Sequence, residues 1–238
     1  MKLYDNMIDL LADAKERDRE IRFIDGADKE SVLRFDELWD EALSLLGSLQ
    51  ARGMNPGDEL IIFSTSNKSF VVAFWAAVLG GIIPVPVAVG ISDEHKLKLF
   101  RILSQLEHPT LFTEMDLLQR LLDFAKEREL PDITELLNTH AVLMSDVEPG
   151  THGAIHDVRP DDIGFIQYSS GSTSDPKGIV LTHRNLCVNI RAIVEGFDWQ
   201  DDDQSLSWMP LTHDMGLIGF HLSVMAAGMN QAVMDTNV

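Results

Sequence analysis

The segment Glu59–Val89, ELIIFSTSNKSFVVAFWAAVLGGIIPVPVAV, decides the fold. Glu59-Leu60-Ile61-Ile62-Phe63 reads as a buried strand. Residues 70–79 follow as a helix that is apolar nearly all round, so it must be covered on both sides. Ile82 to Val89 reads as a second strand, and Pro84 and Pro86 place it near the edge or end of a sheet, because proline cannot donate to a ladder. Gly80, Gly81, Pro84 and Pro86 punctuate the apolar run too often for a membrane span.

The alternation of strand and helix extends in both directions. Upstream, Phe35, Leu38, Trp39, Ala42, Leu45, Leu46 and Leu49 keep helical spacing between Leu33 and Gly53, with Asp36 as the expected N-cap and Gly53 as the C-terminal stop. Asn55-Pro56-Gly57-Asp58 is a turn. Downstream, residues 94–106 read as a helix with Leu97, Phe100 and Leu103 on one face and Lys96 and Lys98 off it. Residues 110–113 read as a strand, 115–128 as a helix and 141–144 as a strand. Such alternation predicts an α/β fold with a largely parallel sheet, whose ligands sit at the carboxyl ends of the strands. The polar connection Glu148–Pro160 is the best internal boundary. His152 and His156 within it read as solvent-facing.

The chain has 238 residues, 45% hydrophobic and 24% charged, the composition of a folded protein with a sizeable core. Its 19 Lys+Arg against 38 Asp+Glu give a net charge of −19. That surface repels phosphate backbones and anionic headgroups, which argues against a general nucleic-acid or membrane-surface binder. A single cysteine, Cys187, excludes an internal disulfide and a Cys-based zinc site and reads as a small buried hydrophobe. The N-terminus is amphipathic and charged, without the apolar core of a signal peptide. Asp201-Asp202-Asp203 reads as a solvated turn rather than a metal site. The chain ends in GMNQAVMDTNV directly after an apolar stretch, as a chain cut inside a domain does.

The chemistry concentrates in Asp162–Leu186, DIGFIQYSSGSTSDPKGIVLTHRNL. Residues 163–168 and 179–181 read as strands. Thr182 caps a helix whose apolar face holds Leu186, Ile190, Ile193 and Val194. Between the strands lies a loop of small and hydroxylated residues with one lysine, Lys177. Small residues let backbone N–H groups approach an anion, hydroxyls add donors, and the lysine supplies a mobile charge, so the loop fits a phosphate cradle. A flexible Ser/Gly surface loop has the same composition. A P-loop needs Gly where Pro176 stands and Ser or Thr where Gly178 stands, so a P-loop phosphotransferase is disfavoured. The G-x-S-x-G elbow and the GxGxxG fingerprint are absent.

SSGSTSDPKG (169–178) followed by VLTHRNL (180–186) resembles the signature of adenylate-forming enzymes: acyl-CoA synthetases, fatty acyl-AMP ligases, luciferases and the adenylation domains of non-ribosomal peptide synthetases. SWMPLTHDMGL (207–217) is similar to the branch of fatty acyl-AMP ligases and the acyl-activating modules of polyketide synthases. Leu33–Leu38 and AAVLGGIIPVP (76–86) resemble the family's opening motifs. The resemblance runs in order over nearly the whole chain. It implies an αβαβα-type layered α/β fold with largely parallel sheets, of which this chain is the incomplete N-terminal portion of the large domain. Residues 1–160 are expected to form a first α/β subdomain, and 161–238 the phosphate-loop segment and the start of a second.

The family activates a carboxylic acid with ATP and Mg2+, releasing pyrophosphate and leaving an acyl-adenylate, and the acyl group then passes to coenzyme A or a phosphopantetheinyl carrier protein. By matching position the resemblance implies that Ser169, Ser170, Gly171, Ser172 and Thr173 line the triphosphate, with Lys177 near the β- and γ-phosphates and Thr173 near Mg2+. It puts His213 beside the acyl carboxylate or α-phosphate, with Asp214 next to it; a helix N-terminus capped by Asp214 is the plainer reading of the pair. His183 is expected to orient the loop. Trp208 and Met209 are expected in the core, and Met215, Met225, Met229 and Met234 as core filler rather than an acyl tunnel. Ser174 departs from the family's usual glycine. The later motifs are missing, so this chain alone is expected to lack full turnover. The implied function is a cytoplasmic ligase that activates a carboxylic acid, a fatty acid above all; the alternative is a catalytically degenerate scaffold or interaction module with the same fold.

Overall fold

The computed structural model describes residues 3–90, 92–148, 150–168, 176–199 and 203–235. In chain order the elements are α1 (Met7–Ala14), β1 (Glu20–Gly26), β2 (Lys29–Arg34), α2 (Phe35–Ala51), β3 (Glu59–Phe63), α3 (Asn67–Leu79), β4 (Ile83–Pro86), α4 (Asp93–Gln105), β5 (Pro109–Thr113), α5 (Met115–Glu127), α6 (Pro131–Thr139) and β6 (Ala141–Leu143). Then come β7 (Ile163–Tyr168), β8 (Gly178–Thr182), α7 (His183–Phe197), β9 (Gln204–Ser207), a π-helix (Met215–Leu222) running into α8 (Ser223–Ala227), and β10 (Asn230–Met234).

Strands β4-β3-β5-β6 form an all-parallel sheet with β4 at its edge, where its two prolines cost no ladder bond. Every residue of β3 is buried, as expected of a parallel strand covered on both faces. Leu60 and Ile62 pack into the cluster that holds α2 and α3. Ile61 and Phe63 pack into a second cluster with α4, α5 and α6. Helix α3 is buried from Phe70 to Leu79, the cover on both sides that its all-round apolar surface demands.

A second sheet has the order β2-β1-β10-β9. Hairpin β1–β2 is antiparallel, while β1–β10 and β10–β9 are parallel, with Ile21 opposite Gln231 and Gln231 opposite Ser205. Strands from before and after the Glu148–Pro160 connection therefore share one sheet. That connection is tied back by the Gly153 N–H to the Leu43 carbonyl (2.9 Å) and the His156 N–H to the Leu79 carbonyl (2.9 Å). Strands β7 and β8 pair antiparallel on their own. The largely parallel α/β architecture expected from the alternation is the one observed.

Several local expectations change. Leu33 and Arg34 belong to β2, and the α2 cap is Arg34 rather than Asp36. The Glu37 carboxylate accepts the Arg34 backbone N–H (2.9 Å), while Asp36 is committed to the Arg34 guanidinium at 3.0 and 3.1 Å. That ion pair holds the Asp36 carboxyl below its usual range. Gly53, at φ +90°, does stop α2, with the Met54 N–H reaching back to the Leu49 carbonyl (3.2 Å). Trp208 is 59% exposed rather than in the core, because β9 ends at Ser207 and the Ser207 hydroxyl accepts the Met209 N–H (3.1 Å), turning the chain outward. Met209 is half-buried. Met215 is exposed, whereas Met225 and Met229 are buried.

Candidate functional site

The carboxyl ends of β4 and β7 open into a cavity of about 960 Å³, where ligands sit in α/β sheets. Pro86, Val87 and Ala88 line one side. Gln167 and Tyr168 come from the end of β7, Ile179 and Leu181 from β8, and Asn185, Leu186 and Asn189 from α7. Lys98 and Ile102 of α4 and the segment Pro210–Ile218 complete the wall. An adjoining hollow of about 240 Å³ shares Ala88, Pro210 and Thr212 and reaches Met234. A separate groove of about 730 Å³ between α5 and α6 is lined by no strand residue, so it lacks the strand-end geometry.

His213 and Asp214 stand together in the cavity wall. The imidazole Nδ1 and the carboxylate Oδ1 are 2.6 Å apart, and Nδ1 accepts the Met215 N–H (3.2 Å). Asp214 Oδ1 also accepts the Met215 N–H (2.8 Å), capping the helix that follows. Asp214 thus caps the helix, and the same Met215 N–H reaches the His213 imidazole. Behind them, the Gln167 amide donates to the Thr212 carbonyl (2.9 Å), tying the end of β7 to the His213 segment. Gln167 Oε1 has no hydrogen-bond partner. Gly216 lets the chain close here: a Cβ there would collide with the Pro210 carbonyl.

Lys177 is exposed just before β8, next to the last pair of the β7–β8 hairpin, Tyr168 opposite Gly178. It does not line the cavity itself. Ser169, Ser170, Gly171, Ser172, Thr173 and Ser174 lie outside the described residues, as do Asp201 and Asp202. Thr182 caps α7 reciprocally: its hydroxyl accepts the Asn185 N–H (3.2 Å), and Asn185 Oδ1 accepts the Thr182 N–H (3.0 Å). Among the described residues no three His, Cys, Asp or Glu stand together as a metal site.

His183, expected to orient a loop that lies outside the described residues, is anchored to α1. It is 2% exposed, and its Nδ1 accepts the Met7 N–H at the start of α1 (3.2 Å). Burial pushes its pKa down, against the opposing Asp162 carboxylate. Cys187, half-buried on α7, has its thiol pushed up to about 11, first by burial and then by Asp9 and Asp5. Gln167, Tyr168, Asn185 and Asn189 were not singled out as site residues. Their signals were present: the first two end the strand before the loop, and the asparagines are four apart on one helix face.

The sequence profile of the AMP-binding enzyme family matches residues 11–238. The chain therefore belongs to the AMP-binding enzyme family. It is 29% identical over 202 residues to the long-chain-fatty-acid–AMP ligase FadD32 of Mycolicibacterium smegmatis, covering 83% of this chain and 31% of that one. It is 52% identical over 61 residues to the medium-chain-fatty-acid–[acyl-carrier-protein] ligase TtuA of Teredinibacter turnerae, 26% of this chain and 10% of that one. Among solved structures, the adenylation domain of a keto acid-selecting NRPS module bound to keto acyl adenylate superimposes with a TM-score of 0.90 at 27% identity, over 99% of this chain and 42% of that one. The chain spans about a third of the length of the curated relatives it matches over most of its own length. No described helix is long and apolar enough to cross a membrane.

Proposed function

We propose that this chain supplies the N-terminal part of an acyl-adenylating ligase, which joins a carboxylic acid, best a fatty acid, to the AMP moiety of ATP. The observation that carries this reading is the pairing of His213 with Asp214 on the wall of a strand-end cavity bordered by the β7–β8 hairpin, whose lysine is Lys177. In the reaction the substrate carboxylate oxygen attacks the α-phosphorus and pyrophosphate leaves. The enzyme's task is to hold two anions together and to stabilise charge on the phosphate oxygens. Lys177 and the hydroxyls of Ser169, Ser170, Ser172 and Thr173, with the backbone at Gly171, are assigned to the triphosphate. His213, beside Asp214, is assigned to the junction of carboxylate and α-phosphate. Mg2+, with Thr173 as its ligand from this chain, neutralises phosphate charge when bound.

The acceptor of the acyl group is the thiol of coenzyme A or of a phosphopantetheinyl carrier protein, and the reaction is proposed to be cytoplasmic. Relatives named as AMP ligases and acyl-carrier-protein ligases support the substrate class. The test is ATP–pyrophosphate exchange by the full-length protein with medium- and long-chain acids. Exchange is expected, with Lys177→Ala lowering it about a hundredfold or more as expected for removing a preorganised charge. Absence of exchange with every acid, or wild-type nucleotide affinity in Lys177→Ala, refutes the reading and favours a scaffold of the same fold.

A further inference from the structure

The helix that begins directly after His213 and Asp214 is a π-helix over Met215–Leu222. This wide register is rarely stable by itself and recurs at functional sites. Something must select it over the tighter α register. His221, in its last turn, is fully buried, and both ring nitrogens are used. The Trp75 indole N–H on α3 donates to Nε2 at 3.0 Å. An indole can only donate, so Nε2 is unprotonated and Nδ1 carries the hydrogen. Nδ1 donates to the Gln231 Oε1 of β10 at 2.8 Å.

The circuit then closes on the backbone. The Gln231 amide donates to the carbonyl of His221 itself (3.1 Å), so ring and main chain are both locked to β10. Two residues on, the Ser223 hydroxyl donates to the Ile218 carbonyl five residues back (2.7 Å), which supports the wide spacing. Rewinding a π-turn as an α-turn changes the phase across it by about 100°, one residue's rotation. That rotation would carry His221 away from Trp75 and Gln231 and leave buried polar groups unpaired, each a destabilising loss. Ile218 and His213, both in the cavity wall, lie upstream on the same short helix and its cap.

We propose that His221 is a positioning residue: clamped between Trp75 and Gln231, it sets the register of the helix that follows His213 and Asp214, and so sets where those two side chains meet the cleft. This rests on the adenylation reading only for its catalytic consequence. The structural consequence stands without it, and the experiment separates the two.

Three variants are compared with wild type. His221→Leu removes both ring bonds, His221→Gln keeps an acceptor for Trp75 and a donor for Gln231, and Trp75→Phe removes the donor alone. Amide hydrogen exchange of the 213–222 segment, read by mass spectrometry, is expected to speed up about tenfold or more in His221→Leu, one lost buried hydrogen bond's worth, with His221→Gln close to wild type. In the full-length protein, His221→Leu is expected to lower kcat of ATP–pyrophosphate exchange about tenfold while KM for ATP changes less than about threefold, with His221→Gln restoring most of the rate. If His221→Leu does not fold, Trp75→Phe carries the same two readouts. Wild-type exchange at 213–222 in folded His221→Leu, or in Trp75→Phe where it stands in, overturns the proposal. Faster amide exchange with unchanged kcat overturns its catalytic part. A wild-type protein with no activity on any acid refutes the adenylation reading and leaves the amide exchange to decide the clamp.

Discussion

The buried imidazole of His221 makes a sharp prediction about stability against pH. Burial lowers its pKa to about 4, the hydrogen bond to Gln231 opposing in the other direction, while an unfolded histidine titrates near 6.5. Above pH 6.5 both states are neutral at this site and the shift contributes no pH dependence. Between about 6.5 and 4 the unfolded chain takes up a proton that the folded chain refuses, so stability falls as pH falls. The slope approaches about 1.4 kcal/mol per pH unit, and the total by pH 4 is about 3 kcal/mol. Below about 4 the folded site also protonates and the loss levels off. Carboxylates and His183 titrate in the same range, so the measurement is a difference. Urea unfolding of wild type and His221→Gln is followed at half-unit steps from pH 7.5 to 4. His221→Gln is expected to be slightly the less stable at pH 7.5, by less than about 1 kcal/mol, because its amide keeps an acceptor for Trp75 and a donor for Gln231. The gap is expected to close and reverse as pH falls, because only wild type carries the suppressed histidine. Parallel curves for the two proteins across pH 6.5 to 4 refute the assignment of a neutral, clamped imidazole.

Three further outcomes follow from the packing. Gly216→Ala forces a methyl into the Pro210 carbonyl and is expected to destabilise the chain by about 2 kcal/mol or more, read as a lowered urea midpoint; a wild-type midpoint refutes the close approach. His183→Leu leaves the Met7 N–H without its buried acceptor and is expected to cost about 1–3 kcal/mol, with the loss of protection concentrated in α1 by hydrogen exchange. The Cys187 thiol, pushed up to about 11, is expected to react with iodoacetamide at pH 7.5 more than tenfold more slowly than free cysteine, since the thiolate is the nucleophile; labelling at the free-thiol rate shows that it is neither buried nor shifted.

Much of the first sheet was legible along the chain. The apolar runs at β3 and α3, the prolines of β4 and the helical spacing of α2 each report a local environment, and periodicity encodes such environments directly. The THDMG stretch stands out by residue type, and His213 and Asp214 do line the cavity, while the loop ahead of Lys177 lies outside the described residues. Asp36 misled because Ser, Thr, Asp and Asn are the usual cap signals, whereas here Glu37 reaches back to the Arg34 N–H and leaves Asp36 to the guanidinium. Trp208 misled because hydrophobicity alone cannot tell a strand interior from the residue just past its end.

By itself, then, the sequence determined the α/β class, the parallel sheet around β3 and the positions from which a site could be built. The tertiary structure decided what pairs with what. The β1–β2 hairpin borders β10, some two hundred residues away in the chain, and no local pattern records that register. His221 in sequence is one histidine in an apolar helix. Only the meeting of α3, the π-helix and β10 gives its ring a donor on one side and an acceptor on the other, and holds the turn that begins at His213. The physical reason is common to both: periodicity is local, but satisfying a buried polar group requires partners that only folding brings within hydrogen-bond reach.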